Sequence, residues 1–443
     1  MDPMKPANFK SLPGPGDITR VVLPGGITLL TRSNFNSPSV FVGGYMASGS
    51  MFDPLEKLGL AGFTATSLMR GTQQRSFQEI YEALESAGAS LGFGASVHNV
   101  NFGGRSLAED LPLILTLLAE ALQQPVFPEE QVERLRSQML TSLAIRNQDT
   151  GDLVDMAFDE IAFPNHPYGR PEDGHPETIQ RITRDDLIAF HRQHYGPETM
   201  VIVVVGAIEA GQAIEQVTCA FDGWQNQNFA AAPDLPPIMP LADTTRRHIP
   251  VPGKYQSDLV IGTTGPKRTA PDFMAASLGN SILGQFGMMG RIGDVVREKA
   301  GLAYHASTSL SSTIEGGSWE VSAGVNPANV QRAIDLIVSE LGRFTAEPVT
   351  EEELQDSQAN YIGRLPLSLE SNAGVANALL NIERFQLGLD YYQRYPELVM
   401  AVTPEKVLEA ARTYWNLDAL AIISAGPDAD AGEAVAVDAA EQP

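Results

Sequence analysis

The feature that most constrains this chain of 443 residues is an internal repeat with an offset of 219 residues. Apolar residues at helical spacing in the first half recur at the same spacing in the second. The matching pairs are Leu111 with Val330, Leu115 with Ile334, Leu118 with Ile337 and Leu122 with Leu341. A period this long indicates a tandem duplication of one large unit, because solenoid repeats are only about 20 to 50 residues long.

Both copies combine paired strands with helices. Strand pairs are predicted over residues 88–105 and 303–325, and each precedes a long helix, over 110–122 and 328–341. Each copy also ends with a helix, a buried strand and a glycine, the helices over 183–195 and 403–415 and the strands over 200–205 and 419–424. We therefore predict an α+β fold of two homologous halves, with antiparallel or mixed sheets packed by helices.

A stretch rich in proline and alanine separates the two halves and has no helical or strand periodicity. The tail is rich in Ala, Asp and Glu and also lacks periodicity. The predicted segments are an N-terminal half over 17–225, a linker over 226–243, a C-terminal half over 244–426 and an acidic tail over 427–443.

The charge balance excludes several classes of partner. The chain has 54 acidic and 30 basic residues, a net charge of −24. Such a surface repels nucleic acid and anionic membranes and favours basic ligands. We see no apolar run long enough to span a membrane and no signal peptide at the N-terminus, so we expect a cytoplasmic protein. The lone cysteine, Cys219, excludes an internal disulfide and is predicted to be a small core residue.

One segment carries a specific resemblance. Residues 59–72 read G-L-A-G-F-T-A-T-S-L-M-R-G-T. This resembles the inverted zinc-peptidase motif of the pitrilysin/insulinase family, in which the segment begins G-L-A-H-F-L-E-H. The family includes the subunits of the mitochondrial processing peptidase and bacterial heterodimeric peptidases. The resemblance extends from Asp17 to about Pro427 and includes the repeat itself.

The residues that bind zinc in that family are missing here. The resemblance implies that H-x-x-E-H would supply two imidazole ligands and a general base. Those positions are occupied by Gly62, Ala65 and Thr66. The position of the third ligand, a glutamate on a later helix, is Ser142, and a further acidic position is Leu135. We therefore expect no metal and no other cofactor in this chain.

Other histidines do not replace the missing ligands. His191 and His194 have ligand-like spacing on a predicted helix. The matching helix of the family is an ordinary one, so we interpret both as packing or surface residues. We likewise predict that His98, His166 and His175 are hydrogen-bonded residues of strands or loops.

A second family feature is present. Arg297 and Tyr304 stand seven residues apart, at the junction of a helix with the following strand. They resemble the family's Arg/Tyr pair, whose donors bind the substrate carbonyl and the charge that develops on it. The alternative is a purely structural junction, with Gly301 ending the helix.

Upstream of this pair, residues 284–291 are rich in glycine and methionine but lack the Lys-Ser/Thr of a phosphate-binding loop. The resemblance to non-catalytic processing subunits implies substrate contacts at Gly287 and Gly290. The alternative is a simple turn that leads into a helix.

The resulting hypothesis is a zinc-free subunit of a heterodimeric zinc peptidase. Inactive alone, it would pair with a homologous zinc-bearing subunit and contribute Arg297 and Tyr304 to the hydrolysis of basic or unfolded peptides. The alternative is a catalytically silent structural or peptide-binding scaffold that forms a homodimer, with the Arg/Tyr pair as a relic.

Overall fold

The computed structural model describes residues 12–285 and 290–428, so Gly287 and most of the tail lie outside the described residues. The strands are β1 Thr19–Val22, β2 Thr28–Ser33, β3 Ser39–Met46, β4 Ser90–Ala95, β5 Val100–Leu107, β6 Val201–Gly206, β7 Thr245–Pro250, β8 Ser257–Gly265, β9 Ala303–Leu310, β10 Gly317–Val325 and β11 Ala421–Gly426.

The helices of the first half are α1 Leu60–Ser67, α2 Phe77–Ser86, α3 Leu111–Gln123, α4 Glu129–Arg146, α5 Thr150–Ala162, α6 Pro176–Arg181, α7 Arg184–His194 and α8 Ala210–Ala220. Those of the second half are α9 Phe273–Gly284, α10 Gly290–Gly293, α11 Val330–Ala346, α12 Glu351–Ser368, α13 Asn372–Arg384, α14 Tyr391–Met400 and α15 Pro404–Tyr414. No helix of this described part is both long and apolar enough to cross a bilayer.

The chain forms two compact units, each built on one sheet. Unit 1 comprises Met1–Leu143, Pro171–Asp234 and Arg364–Tyr395, and unit 2 comprises Ala144–Arg170, Leu235–Gly363 and Pro396–Pro443. Each unit thus includes a helix from the opposite half of the sequence, α13 in unit 1 and α5 in unit 2. The sequence did not predict this exchange.

The two sheets have the same topology. Sheet 1 has the order β1-β2-β6-β3-β5-β4, and sheet 2 has the order β7-β11-β8-β10-β9. In sheet 1 only β2 and β6 are parallel, and in sheet 2 only β7 and β11 are parallel. Without its extra edge strand β1, sheet 1 repeats sheet 2 strand for strand. The predicted α+β duplication with mixed sheets is therefore confirmed.

The exchanged helices help to bury the central strands. All six residues of β6 and of β11 are buried, and because successive side chains alternate between faces, both faces of these strands are covered. In unit 2, Val154 and Phe158 of α5 pack with Val260 and Ile423 of the sheet. A Cβ at Gly262 would lie 2.6 Å from the Phe158 ring, so this close approach requires glycine.

One packing prediction is wrong. Cys219 was expected in the core, but its side chain is exposed. Helix α8 buries Ala213 and Val217, four positions apart on one face. Cys219 lies two positions after Val217, and this turns it away from that buried face.

Candidate functional site

Helix α1, which carries the altered zinc motif, is held by a buried carboxylate at its start. Asp53 Oδ2 accepts a hydrogen bond from the Gly59 N–H at 2.8 Å, and Oδ1 accepts one from the Ala61 N–H at 2.9 Å. Gly59 has a left-handed φ of 94°, which glycine adopts without strain. The carboxylate satisfies two of the free N–H groups of the helix end and suits its positive dipole. The motif helix is therefore well formed without a metal.

The side chains at the motif positions cannot bind zinc. Gly62 is half-buried, Ala65 is buried and Thr66 is exposed. The Thr66 hydroxyl donates to the Gly62 carbonyl at 2.8 Å and is thus occupied within the helix. A Cβ at Gly62 would meet only the Glu172 carbonyl, at 3.9 Å, so a larger side chain would fit there. Zinc sites use Cys, His, Asp or Glu ligands, and none is present at these positions.

Helix α4 runs beside α1 but brings no ligand to it. The Arg136 guanidinium lies 5.2 Å from the centre of the Phe63 ring, and Arg70 reaches Gln138 at 3.4 Å. Leu135 is buried in the core of unit 1, and Ser142 is exposed. Within residues 12–285 and 290–428, no group of three or more His, Cys, Asp or Glu residues could hold a metal ion. The residues present do not fit the family's zinc.

His191 and His194 are packed, neutral rings. The Nε2 atom of His191 is 2.8 Å from the Leu122 carbonyl oxygen, and burial lowers its pKa to about 4. His194 packs between Phe52 and Phe190, and burial lowers its pKa to about 4 as well. Both therefore have the structural role predicted from the sequence.

Arg297 lies on an irregular helix. Residues Asp294–Lys299 form a π-helix that continues directly from α10. π-helical turns are rare and occur frequently at functional sites. The helix ends at Gly301, which has a φ of 64°. Val296 is buried, whereas the Arg297 side chain is partly exposed, with its Nε atom 3.7 Å from Glu298 Oε1.

Tyr304 lies on a second irregularity. β10 pairs Gly324 with His305 but Val325 with Ala303, so β9 has one extra residue, Tyr304, in a β-bulge. Bulges redirect side chains and are common beside active sites. The Tyr304 side chain is 78% exposed. Among the described residues its hydroxyl has no hydrogen-bond partner.

Gly290 is fixed by the fold. It has a φ of 63°, and a Cβ there would lie 2.6 Å from the Ile282 carbonyl oxygen. The next residue, Arg291, donates from Nε and from a terminal nitrogen to the two carboxylate oxygens of Glu353, both at 2.6 Å. This bidentate pair fastens the start of the Arg297 segment to α12. Sequence reasoning missed it, because Arg291 and Glu353 lie 62 residues apart in the chain.

Sequence reasoning also missed a group of carboxylates in unit 2. Burial and the nearby Asp155 raise the pKa of Glu320 to about 7, although Ser318 donates a hydrogen bond to it. Burial and the neighbouring Asp152, Asp258 and Asp149 raise the pKa of Asp155. The available signal was Glu320 itself, a charged residue that stands between the apolar Trp319 and Val321 in the strand pair predicted over 303–325.

Two family models match most of the chain. "Insulinase (Peptidase family M16)" matches residues 28–173, and "Peptidase M16 inactive domain" matches residues 181–361. An uncharacterized zinc protease of Streptomyces coelicolor is 27% identical, over 90% of this chain and 87% of its own length. The mitochondrial-processing peptidase subunit beta of Saccharomyces cerevisiae is also 27% identical, over 80% of this chain and 79% of its own.

Solved structures agree with these relatives. A peptidase M16 inactive domain from Pseudomonas fluorescens has a TM-score of 0.86 and 25% identity, over 93% of this chain and 98% of its own. A protease from Helicobacter pylori has the same TM-score at 19% identity, over 94% of this chain and 100% of its own, and supports the fold alone. Motif, fold and relatives therefore identify this chain as a member of the insulinase (M16) peptidase family that lacks the H-x-x-E-H zinc motif.

Proposed function

We propose that this chain is the non-catalytic subunit of a heterodimeric zinc peptidase and contributes Arg297 and Tyr304 to a partner that carries the zinc. One contrast supports this proposal. The motif positions Gly62, Ala65 and Thr66 hold no zinc ligand, while Arg297 and Tyr304 lie on irregular backbone with accessible side chains.

The chemistry of the pair suits the stabilisation of an oxyanion. A guanidinium keeps its positive charge at all working pH values, and a phenol donates one hydrogen bond. Donors placed where negative charge develops stabilise the transition state of acyl transfer more than the ground state. The Tyr304 hydroxyl, which has no hydrogen-bond partner among the described residues, is available for such a bond. Within the described residues, the ion contact of Arg297 is a long one, 3.7 Å to Glu298, so its guanidinium is also available.

Peptides are the ligand class that we infer. The name of the yeast relative, a processing peptidase subunit, describes action on polypeptides. The charge of −24 favours peptides that carry basic residues. Gly290, and Gly287 before it, remain proposed contacts for the peptide backbone.

The test uses the purified full chain with and without a homologue that carries the complete H-x-x-E-H motif. Alone, the chain should contain no stoichiometric zinc by atomic emission and cleave no basic peptide. With the homologue, cleavage should appear, and Arg297→Ala or Tyr304→Phe should lower kcat by about 10²–10³. Phe35→Ala, which removes an exposed ring in unit 1, should leave the rate unchanged.

Three outcomes would contradict the proposal. Stoichiometric zinc in the lone chain is the first, and normal rates in both variants are the second. The third is a stable homodimer by light scattering that neither binds the zinc-bearing homologue nor alters its activity, which would favour the scaffold alternative.

A further inference from the structure

A second exposed tyrosine lies at the same end of sheet 2 as Tyr304. Tyr255 is 88% exposed and Tyr304 is 78% exposed, which makes them the two most exposed large hydrophobic side chains that the structure describes. Tyr255 precedes β8 by two residues, and Tyr304 is the bulge residue near the start of β9. Neither ring packs in the core, so neither is explained by the stability of the fold.

The strand register brings the two tyrosines to the same end of the sheet, where β8 and β9 both begin. Ser257 of β8 pairs with Val325 of β10, and Val325 pairs with Ala303 of β9. The adjoining side chains, Gln256 and His305, both lie beside Gly324, since a Cβ there would be 2.3 Å from Gln256 Nε2 and 2.6 Å from His305 Cε1. Two strand spacings, about 10 Å, separate the tyrosine-bearing segments, a distance that about three residues of an extended peptide span.

The charge around this end of the sheet is negative. Gln256 donates to Asp258 at 2.8 Å, and Asp258 is one of the carboxylates that raise the pKa of Asp155. Of the cations on the Arg297 segment, Lys299 is paired, at 2.5 Å from Asp294, and Arg297 is the one proposed to bind the substrate carbonyl. Lys254, beside Tyr255, is outnumbered by the carboxylates Asp149, Asp152, Asp155 and Asp258.

Building on the proposed function, we propose that Tyr255 and Tyr304 form one peptide-binding surface. On this surface the Tyr255 ring binds a lysine or arginine side chain of the peptide. That side chain belongs to a residue about three positions from the one whose backbone carbonyl is bound at Tyr304. An exposed aromatic face attracts a cation, and the negative charge at this end of the sheet adds to that attraction. The two tyrosines have different roles: Tyr304 acts through its hydroxyl and Tyr255 through its ring.

The experiment compares two short fluorescein-labelled peptides that differ at one central residue, lysine or its uncharged counterpart norleucine. Binding to the full chain is measured by fluorescence anisotropy. The wild-type chain should bind the lysine peptide more tightly. Tyr255→Ala should weaken the lysine peptide about two- to five-fold and leave the norleucine peptide unchanged, while Tyr255→Phe should match wild type. Phe35→Ala, a change at a ring that is 60% exposed in unit 1, is the control and should affect neither peptide.

Four results would overturn this role for Tyr255. These are equal affinity of wild type for both peptides, an equal loss for both in Tyr255→Ala, no loss for the lysine peptide, or the same loss in Phe35→Ala. In each of these cases the chain still binds peptide and the proposed function stands. If neither peptide binds the wild-type chain, both the inference and its peptide-binding basis are wrong.

Discussion

Replacement of Glu320 by glutamine should remove a pH dependence from the stability of unit 2. Glu320 lies in β10, against Gly262 and near Asp155. Burial and Asp155 raise its pKa from 4.5 to about 7, so the folded state holds a proton there that the unfolded state has already released. Stability from this group is therefore fully present below about pH 4.5 and is lost as the pH rises through about 7.

The size of the effect follows from the shift in pKa. Each pKa unit corresponds to about 1.4 kcal/mol, so the wild-type protein should lose up to about 3 kcal/mol of unfolding free energy between pH 5 and pH 8 through Glu320. Glu320→Gln keeps the shape of the side chain and cannot ionise. We expect it to be near wild-type stability at about pH 5 and more stable at about pH 8.

Urea unfolding followed by tryptophan fluorescence is a suitable assay. Trp319 adjoins Glu320, and its ring centre lies 5.7 Å from that of Trp415, so both rings report on unit 2. A Trp224→Phe background removes the signal from unit 1. Glu352→Gln, at an exposed position on α12, is the matched control and should retain the wild-type pH profile. Parallel pH profiles for Glu320→Gln and wild type would refute the reasoning.

Three further predictions concern the fold and the altered motif. Glu353→Gln should lower the unfolding free energy by about 2–3 kcal/mol at pH 7 in urea titrations, because hydrogen bonds from Arg291 and Thr350 overcome burial and hold the pKa of Glu353 at about 2. The difference between variant and wild type should shrink as the pH falls from about 4.5 towards 2, and a difference that stays constant would contradict the ion pair. Gly262→Ala should lower the unfolding free energy by about 1–3 kcal/mol, since the new Cβ would lie 2.6 Å from the Phe158 ring. The control Gly211→Ala, in the exposed part of α8, should not lower the unfolding free energy, and equal effects of the two changes would contradict the close packing at Gly262. The triple change Gly62→His, Thr66→His and Ser142→Glu should create zinc binding that calorimetry can measure. The variant should still fold, because these positions are exposed or half-buried. A folded variant that binds no zinc would show that α4 does not place residue 142 opposite α1.

Local patterns were enough to predict most elements. Hydrophobic periodicity located the strand pairs of both copies and the helices that follow them. The spacing of Thr350 and Glu353 is likewise that of the capping box that they form. The shared strand order of the two sheets follows from the duplication. Such patterns depend on neighbours in sequence, so they are visible without the structure.

Features that depend on tertiary packing were not predictable. The periodicity of α5 shows that the helix has a buried face, but it does not show that the face packs on sheet 2. The bulge at Tyr304 arises from the register between β9 and β10, which the sequence does not specify. The shifted pKa of Glu320 requires Asp155, which is distant in sequence.

The backbone of the Arg/Tyr segment also bears on the choice between function and a relic. A junction between a helix and a strand does not require irregular backbone. A regular α-helix and a strand without a bulge would satisfy the backbone hydrogen bonds better than a π-helix and a bulged strand do. Here the chain has a π-helix under Arg297 and an extra residue at Tyr304, and Arg291 and Glu353 secure the start of the segment. The altered zinc motif shows the reverse, since Gly62 and Thr66 lie in a regular helix capped by Asp53. Irregular backbone at the donors and regular backbone at the lost ligands favour a chain that still presents Arg297 and Tyr304 to a substrate.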